Sequence, residues 1–361
     1  MRYRTKEKIT GYLFILPYMV LFSLFLLYPF AKGFWISLHD WNLLEVAFNQ
    51  DSKTFVGVKN YAKLLLPRRW DFEWEQLLWL RVALAGLLGL LAFYWHRANK
   101  LYAWRLIVIV AAVLFVVFAM GWGPEGRARV GDRRFWTSVG NTLQFVAFTV
   151  PSITFLSLIL AMRLNQPTRS AAILRTIFFG TQVLSVTVVT LIWQMMYSPN
   201  QGFISNILRD LGFSAPAWLT DQSLAMPAIV ITTIWWSLGF ALVVFLSGLQ
   251  SIPADRLEAA RLDRAKGWRL LWYIVLPSIK RTTSFVVIMQ IILHFQVFGQ
   301  SHLMTNGGPG DSTQVLVRYI YQSAFRDSEV GYASAMAMVL FVLMLVFSVI
   351  QMKINKNEDE R

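Results

Sequence analysis

The side chains able to do chemistry are few and scattered. Histidine occurs four times, at positions 39, 96, 294 and 302, and cysteine does not occur. That excludes disulfides, thiolate nucleophiles and cysteine-ligated zinc. No Gly-x-x-x-x-Gly-Lys-Ser/Thr loop is present to cradle phosphates, and neither His-Glu-x-x-His nor Gly-x-Ser-x-Gly occurs. What remains is binding chemistry. Gln290 and His294 stand four apart, and so on one helical face, with Gln296 and Gln300 following in an apolar run. Unpartnered polar groups in hydrocarbon are expensive, so these residues are expected to face a cavity or a partner helix. Trp235, Trp236, Ser237 and Phe240 lie in a second apolar run. Aromatic faces beside amides suit a sugar, whose C–H faces stack while its hydroxyls donate and accept. The competing reading is interhelical hydrogen bonding by Gln290 and His294, with the tryptophans packed in a core or at a membrane interface.

A different chemistry is written between these two runs. Asp255, Glu258 and Asp263 alternate with arginines over Ser251–Gly267, and Leu276-Pro277 closes the segment. Paired carboxylates would suit acid–base work, but this spacing fits docking better. Pro253 suits a first helical turn, and Asp255 and Glu258 sit near the positive end of the helix dipole. Glu258, Leu262, Ala265 and Arg269 are expected on roughly one face, with Ala259 and Ala260 letting a partner approach closely. Leu276-Pro277 is expected to turn the chain toward the next element. The alternative is an amphipathic helix that only rests on lipid headgroups.

The elements that must position these residues are membrane spans. Of 361 residues, 56% are hydrophobic and 15% charged, with a mean hydropathy of +0.49. A soluble domain carries about 25% charge. Crossing about 30 Å of hydrocarbon takes about 20 apolar residues. Eight such runs occur, near Tyr12–Ser37, Leu77–Trp95, Leu101–Trp122, Thr142–Leu164, Ile173–Tyr197, Leu224–Leu249, Thr282–His302 and Tyr332–Met352. They read as helices, because barrel strands alternate in segments of about ten residues. The first run is too long for a cleaved leader and lacks a small-residue cleavage site, so it reads as a span. A net charge of +14 would suggest nucleic acid in a soluble chain, but here the basic residues flank apolar runs. With both termini inside, 20 of the 34 Lys and Arg residues fall on the inner side. The loop Gly123–Thr137, with four arginines, runs against that topology. The second and third runs, rich in Leu, Val and Ala, read as a lipid-facing peripheral pair, or else as two more core helices. Arg81, near the end of the second run, reads as a snorkelling side chain.

The segment around Glu258-Ala259-Ala260, followed by Ile274-Val275-Leu276-Pro277, resembles the EAA loop of ABC importer permeases. Where that family usually has glycine six residues after the glutamate, this chain has Arg264, with Gly267 three further on. Where it often has a further proline, this chain has Arg281. Four other stretches resemble maltose-type carbohydrate permeases. They are the Phe-Val-Gly signal at Phe55–Leu66, then Phe135–Leu143, Met304–Pro309 and Gly331–Ala335. The first two nearly abut in most such permeases, so 68–131 reads as an inserted helix pair. The organisation implied is residues 1–67 (tail, first helix and outside loop), 68–131 (insertion) and 132–361, an ABC importer type I permease core with its coupling loop at 250–281. The fold class is an all-α integral membrane protein of about eight transmembrane helices.

The resemblance carries further expectations. Glu258, Ala259, Ala260, Asp263, Arg264, Gly267, Leu276 and Pro277 would couple to two cytoplasmic ATPase subunits. ATP and Mg would sit on those partners, with no cofactor in this chain and no enzyme activity of its own. Trp235, Trp236, Ser237, Phe240, Gln290 and His294, with Leu293 and Val297, fall where the family holds substrate. Gly307, Gly308 and Pro309 would face an extracytoplasmic solute-binding protein, unless they form a plain turn. The Phe-Val-Gly signal suits the first of two unlike permeases, hence a heterodimer in the inner membrane among lipid, with both termini cytoplasmic. The cargo would be a sugar or oligosaccharide. The alternatives are glycerol phosphate or another small solute on the same importer, an ion-driven secondary transporter, or a membrane enzyme acting on lipids or glycans. No acidic residue lies within the eight runs, which counts against the ion-driven reading.

Overall fold

The computed structural model describes residues 13–49, 53–65, 132–265 and 267–359. The expected pair Leu77–Trp95 and Leu101–Trp122, and with it the insertion, lies outside these residues. Among the described residues four helices are long and apolar enough to cross a membrane: α1 (Leu13–Ser37), a second at Arg133–Leu164, a third at Ala225–Gln250 and the last, from Val330. Two further spans exist only as bent pairs.

The chain divides into two compact units. The first contains α1, strands β1 (His39–Asp40) and β2 (Thr54–Phe55), helices α2 (Leu43–Phe48) and α3 (Lys59–Leu65), and residues Ile320–Val342. The most apolar stretch of α1 buries nothing within the chain. In water that face would aggregate; in hydrocarbon, lipid tails are as apolar as leucine, so it carries no penalty. Two of the quoted sequence signals meet here. Asn60 Nδ2 donates to the carbonyls of Ser37 (2.9 Å) and His39 (3.0 Å). Lys63 bonds Glu329 at 2.9 Å and lies 4.1 Å over the Tyr332 ring. A Cβ on Gly331 would overlap the His39 carbonyl oxygen, so only glycine fits.

The second unit holds helices α4 (Arg133–Leu164), α5 (Arg169–Thr181), α6 (Val186–Tyr197), α7 (Phe203–Asp210), α8 (Ala225–Gln250), α9 (Ala254–Leu262), α10 (Trp268–Ser278), α11 (Lys280–Phe295) and α12 (Gly299–Met304). Helix α13 (Leu316–Phe325) begins in this unit, and α14 (Val330–Asp359) returns to it at Leu343. Helix α8 packs along α4 and α5. One cluster, with Phe245, Leu249, Leu271 and Val275, joins α8 to α10; another, with Phe145, Trp193, Ile229 and Met304, closes the opposite end. The cap residues are local. Asp132 accepts from Arg134 N at 2.9 Å to start α4, and Ser185 accepts from Val188 N at 3.4 Å to start α6.

Two expected spans differ from straight helices. The Ile173–Tyr197 run is α5 and α6 bent by 101°, with Ser185 capping the second half. The Thr282–His302 run stops at Phe295 and restarts at Gly299, and α10 meets α11 at 81°. Such breaks leave backbone groups that must be re-satisfied by protein. In this unit the Phe135–Leu143 signal meets the residues just after Met304–Pro309. Asn141 Nδ2 donates to the carbonyls of Asp311 (2.8 Å) and Gln314 (3.0 Å), while Thr142 Oγ1 accepts from Leu316 N at 2.9 Å. Asn141→Ala removes a donor from both carbonyls, of which that of Asp311 still accepts from Gln314 N at 3.1 Å, and is expected to cost about 1–3 kcal/mol in a denaturant titration of the purified permease. Thr137→Ala, which loses only a bond to its own helix at an exposed position, should stay within about 0.5 kcal/mol.

Candidate functional site

Thr233, Trp236, Ser237 and Phe240 fall at i, i+3, i+4 and i+7 and present one face of α8. Gln290, Leu293, His294 and Val297 repeat that spacing along α11 and just beyond it. The two faces enclose a cavity of about 290 Å³, lined also by residues of both helix breaks, among them Gln182, Gln296 and Gln300. The breaks touch each other. A Cβ on Gly299 would stand 2.6 Å from Val186 Cγ2, so glycine permits the approach.

Each polar group on this wall has a definable state. Gln290 is 1% exposed, and its Oε1 has no hydrogen-bond partner. His294 Nδ1 lies 2.8 Å from the Gln290 carbonyl, which only accepts; the imidazole therefore donates there and keeps Nε2 as an acceptor. The His294 ring rests against Phe145, centroids 5.8 Å apart. Trp236 Nε1 donates to the Leu184 carbonyl at 3.2 Å, and Thr181 Oγ1 to the Trp236 carbonyl at 3.2 Å. Trp236 thus satisfies one carbonyl freed by the first break. Trp235, one residue back and about 100° around the helix, does not line the cavity; its ring meets Trp193 edge-on at 5.7 Å.

The Ser251–Arg281 segment differs from the expected continuous face. Helix α9 ends at Leu262, Arg264 takes a left-handed φ of 54° and Gly267 one of 56°, and α10 starts afresh. Ala265 and Arg269 therefore do not continue the Glu258 face. Glu258, Ala259, Asp263, Arg264 and Gly267 are exposed, whereas Ala260 is buried. The small side chain of Ala260 serves packing within this chain, not approach by a partner as expected. Leu257 and Leu276 pack on the apolar cluster under the segment, and Pro277 is exposed. The turn toward α11 falls at Ile279, two residues past Pro277.

Residues 145–357 match the family described as binding-protein-dependent transport system inner membrane component. The chain belongs to that family. It is a multi-pass permease component of an ABC importer. Over 98% of its length it is 28% identical to the probable ABC transporter permease protein YurN of Bacillus subtilis, covering 99% of that protein. Over 97% it is 27% identical to the trehalose/maltose transport system permease protein MalF of Thermococcus litoralis, covering 95% of it. The fold is also that of a crystal structure of a bacterial ABC transporter involved in the import of the acidic polysaccharide alginate. The TM-score is 0.55 at 21% identity, over 75% of this chain and 98% of that one.

In this permease the Met304–Pro309 signal is a pinned loop. Gly307, at φ 80°, is buried, and a Cβ there would overlap Gln314 Oε1 and the Arg318 guanidinium. Arg318 is 5% exposed and bonds Gln314 Oε1 and, at 2.8 Å, Asn306 Oδ1. Gly308 and Pro309 are part-exposed, so these two, not Gly307, are what the loop presents. The sequence reading missed Gln182, Thr233, Phe298 and Gly299 as lining residues. Thr233 had a signal, three residues before Trp236 on the same face. Gln182 had a weaker one, an amide in an apolar run. Phe298 and Gly299 had none, since the α11 run gives no sign of ending at Phe295.

Proposed function

We propose that this permease carries a sugar or oligosaccharide inward across the cytoplasmic membrane. In this reading its cavity holds the cargo between α8 and α11. The observation that carries the reading is Gln290 Oε1. A buried acceptor without a donor costs about 1–3 kcal/mol, and a sugar hydroxyl relieves it. The aromatic faces of Trp236 and Phe240 line the same space. The name of the Thermococcus relative, a trehalose/maltose permease, supports a saccharide cargo.

The motor is supplied by others in this scheme. An extracytoplasmic binding protein delivers the sugar near Gly308-Pro309. Two ATPase subunits, holding ATP and Mg, close on the segment around Glu258, and a second, unlike permease completes the pathway. This chain contributes no ATPase site, and both of its termini lie in the cytoplasm. The exposed acids of α9, set on a buried Ala260 and a half-buried Leu257, support a docking role. The chemistry asked of this chain is positioning and desolvation of the cargo, not bond making.

Uptake of a labelled sugar panel in cells lacking the chain, complemented with wild-type or Gln290→Ala permease, tests the site. Loss of one neutral hydrogen bond to cargo is expected to lower maximal uptake roughly 3- to 10-fold at equal membrane levels. Unchanged uptake of every transported sugar would remove Gln290 from the site.

A further inference from the structure

We infer that the cavity admits only uncharged saccharide groups and turns away carboxylated, sulfonated or phosphorylated ones. The inference rests on the cargo site proposed above and adds the charge class of what it takes.

The polarity of the wall carries the argument. Among the described residues lining the cavity there is no Lys, Arg, Asp or Glu. The polar side chains are amides (Gln182, Gln290, Gln296, Gln300), two hydroxyls, one imidazole and the Trp236 indole, whose N–H is taken by the Leu184 carbonyl. An amide both donates and accepts, as a sugar hydroxyl does, so the two pair without a net charge on either side. An anion entering such a space gives up its hydration and needs a cation or a cluster of N–H donors in exchange. The two deepest groups offer the opposite. Gln290 Oε1 is an acceptor lacking a donor, and His294 has its Nδ1–H engaged by the Gln290 carbonyl, leaving Nε2 as a second acceptor. Both ask for an O–H. A carboxylate or phosphate, all lone pairs, would set acceptor against acceptor.

The absence of cysteine makes a direct test available. Ser237→Cys places the only thiol of this chain on the cavity wall, and its alkylation by N-ethylmaleimide, an uncharged reagent, is followed on this chain within the complete importer. The panel is built of matched pairs: glucose and glucuronate, cellobiose and digalacturonate, glycerol and glycerol 3-phosphate. Uptake by the wild-type importer is measured in parallel. The expected result is that only neutral members are transported, and that a transported one at about ten times its dissociation constant slows alkylation roughly tenfold. A charged member that is transported and protects as well as its neutral partner overturns the inference while leaving the cargo site intact. A sugar that is transported without protecting the thiol overturns the cargo site, and the inference falls with it.

Discussion

Gly239→Ala should cost this permease about 3 kcal/mol or more, whereas Gly180→Ala, one helix away, should be neutral or stabilising. The two glycines lie on α8 and α5, and both sit in apolar helices where alanine is the better helix former by about 1 kcal/mol. Their surroundings differ. A Cβ on Gly239 would overlap the Phe178 carbonyl oxygen and stand 2.9 Å from Phe179 Cα, all backbone atoms that cannot rotate away. At Gly180 nothing lies within 4 Å. Overpacking against side chains costs about 1–3 kcal/mol because rotamers can give; against backbone the helices must separate. Separation here has a functional consequence. Thr181 Oγ1 bonds the Trp236 carbonyl, and Trp236 Nε1 bonds the Leu184 carbonyl, so α8 and the first break move as one piece. Pushing them apart displaces Trp236 and Phe240 from the cavity wall. Denaturant titration of the two purified variants, with uptake measured alongside, checks both halves. Equal stabilities for the pair would mean that α8 does not lie against the Phe178–Phe179 backbone.

How much of this was legible in the sequence depends on which interaction decides each feature. Spans are set by composition over about 20 residues: α1, α8 and the apolar part of α14 match their runs to within a few residues, whereas α4 begins well before Thr142 and the α10–α11 pair well before Thr282. The breaks inside them are not compositional. Gln182-Val-Leu-Ser185 reads as part of a continuous run, and it stays open because Ser185 caps α6 and Trp236 holds Leu184 from 52 positions away. Facing was half legible. Trp236, Ser237 and Phe240 line the cavity as expected by position, but α8 is apolar nearly all round, so nothing in its pattern separates Trp236 from Trp235. Arg264 is the instructive departure. The resemblance expects glycine there, and the backbone does take the left-handed conformation that glycine favours, with arginine carrying it. Residue type was therefore a poorer guide than position. Two of the four sequence signals meet through Lys63 and Tyr332, and Asn141 and Thr142 of a third reach Asp311, Gln314 and Leu316, just past the fourth. Pairings of that separation are invisible to any local pattern.

Glu258→Lys should abolish ATP-driven uptake while leaving the permease folded and at normal membrane levels. The two halves of that expectation come from the two sides of α9. Toward the bundle, Ala260 is 3% exposed and Leu257 packs on the cluster that includes Leu249 and Leu271. Away from it, Glu258, Ala259 and Asp263 are exposed. Glu258 thus supports nothing among the described residues, and substitutions at such exposed positions change stability by about 0.5 kcal/mol or less. If the segment is where the ATPase docks, the same position becomes the centre of an interface. There a charge reversal removes one attraction and adds a repulsion. Interface positions of that kind cost about 2 kcal/mol or more, which at about 1.4 kcal/mol per decade is a loss of roughly 30-fold in association. Transport driven by nucleotide should fall at least that far, and the ATPase subunits should no longer co-purify. Ala260→Leu provides the contrast, because overfilling the packed side should lower the amount of folded permease before any question of docking arises. Wild-type uptake by Glu258→Lys, with the ATPase still bound, would show that force enters this protein elsewhere than through α9.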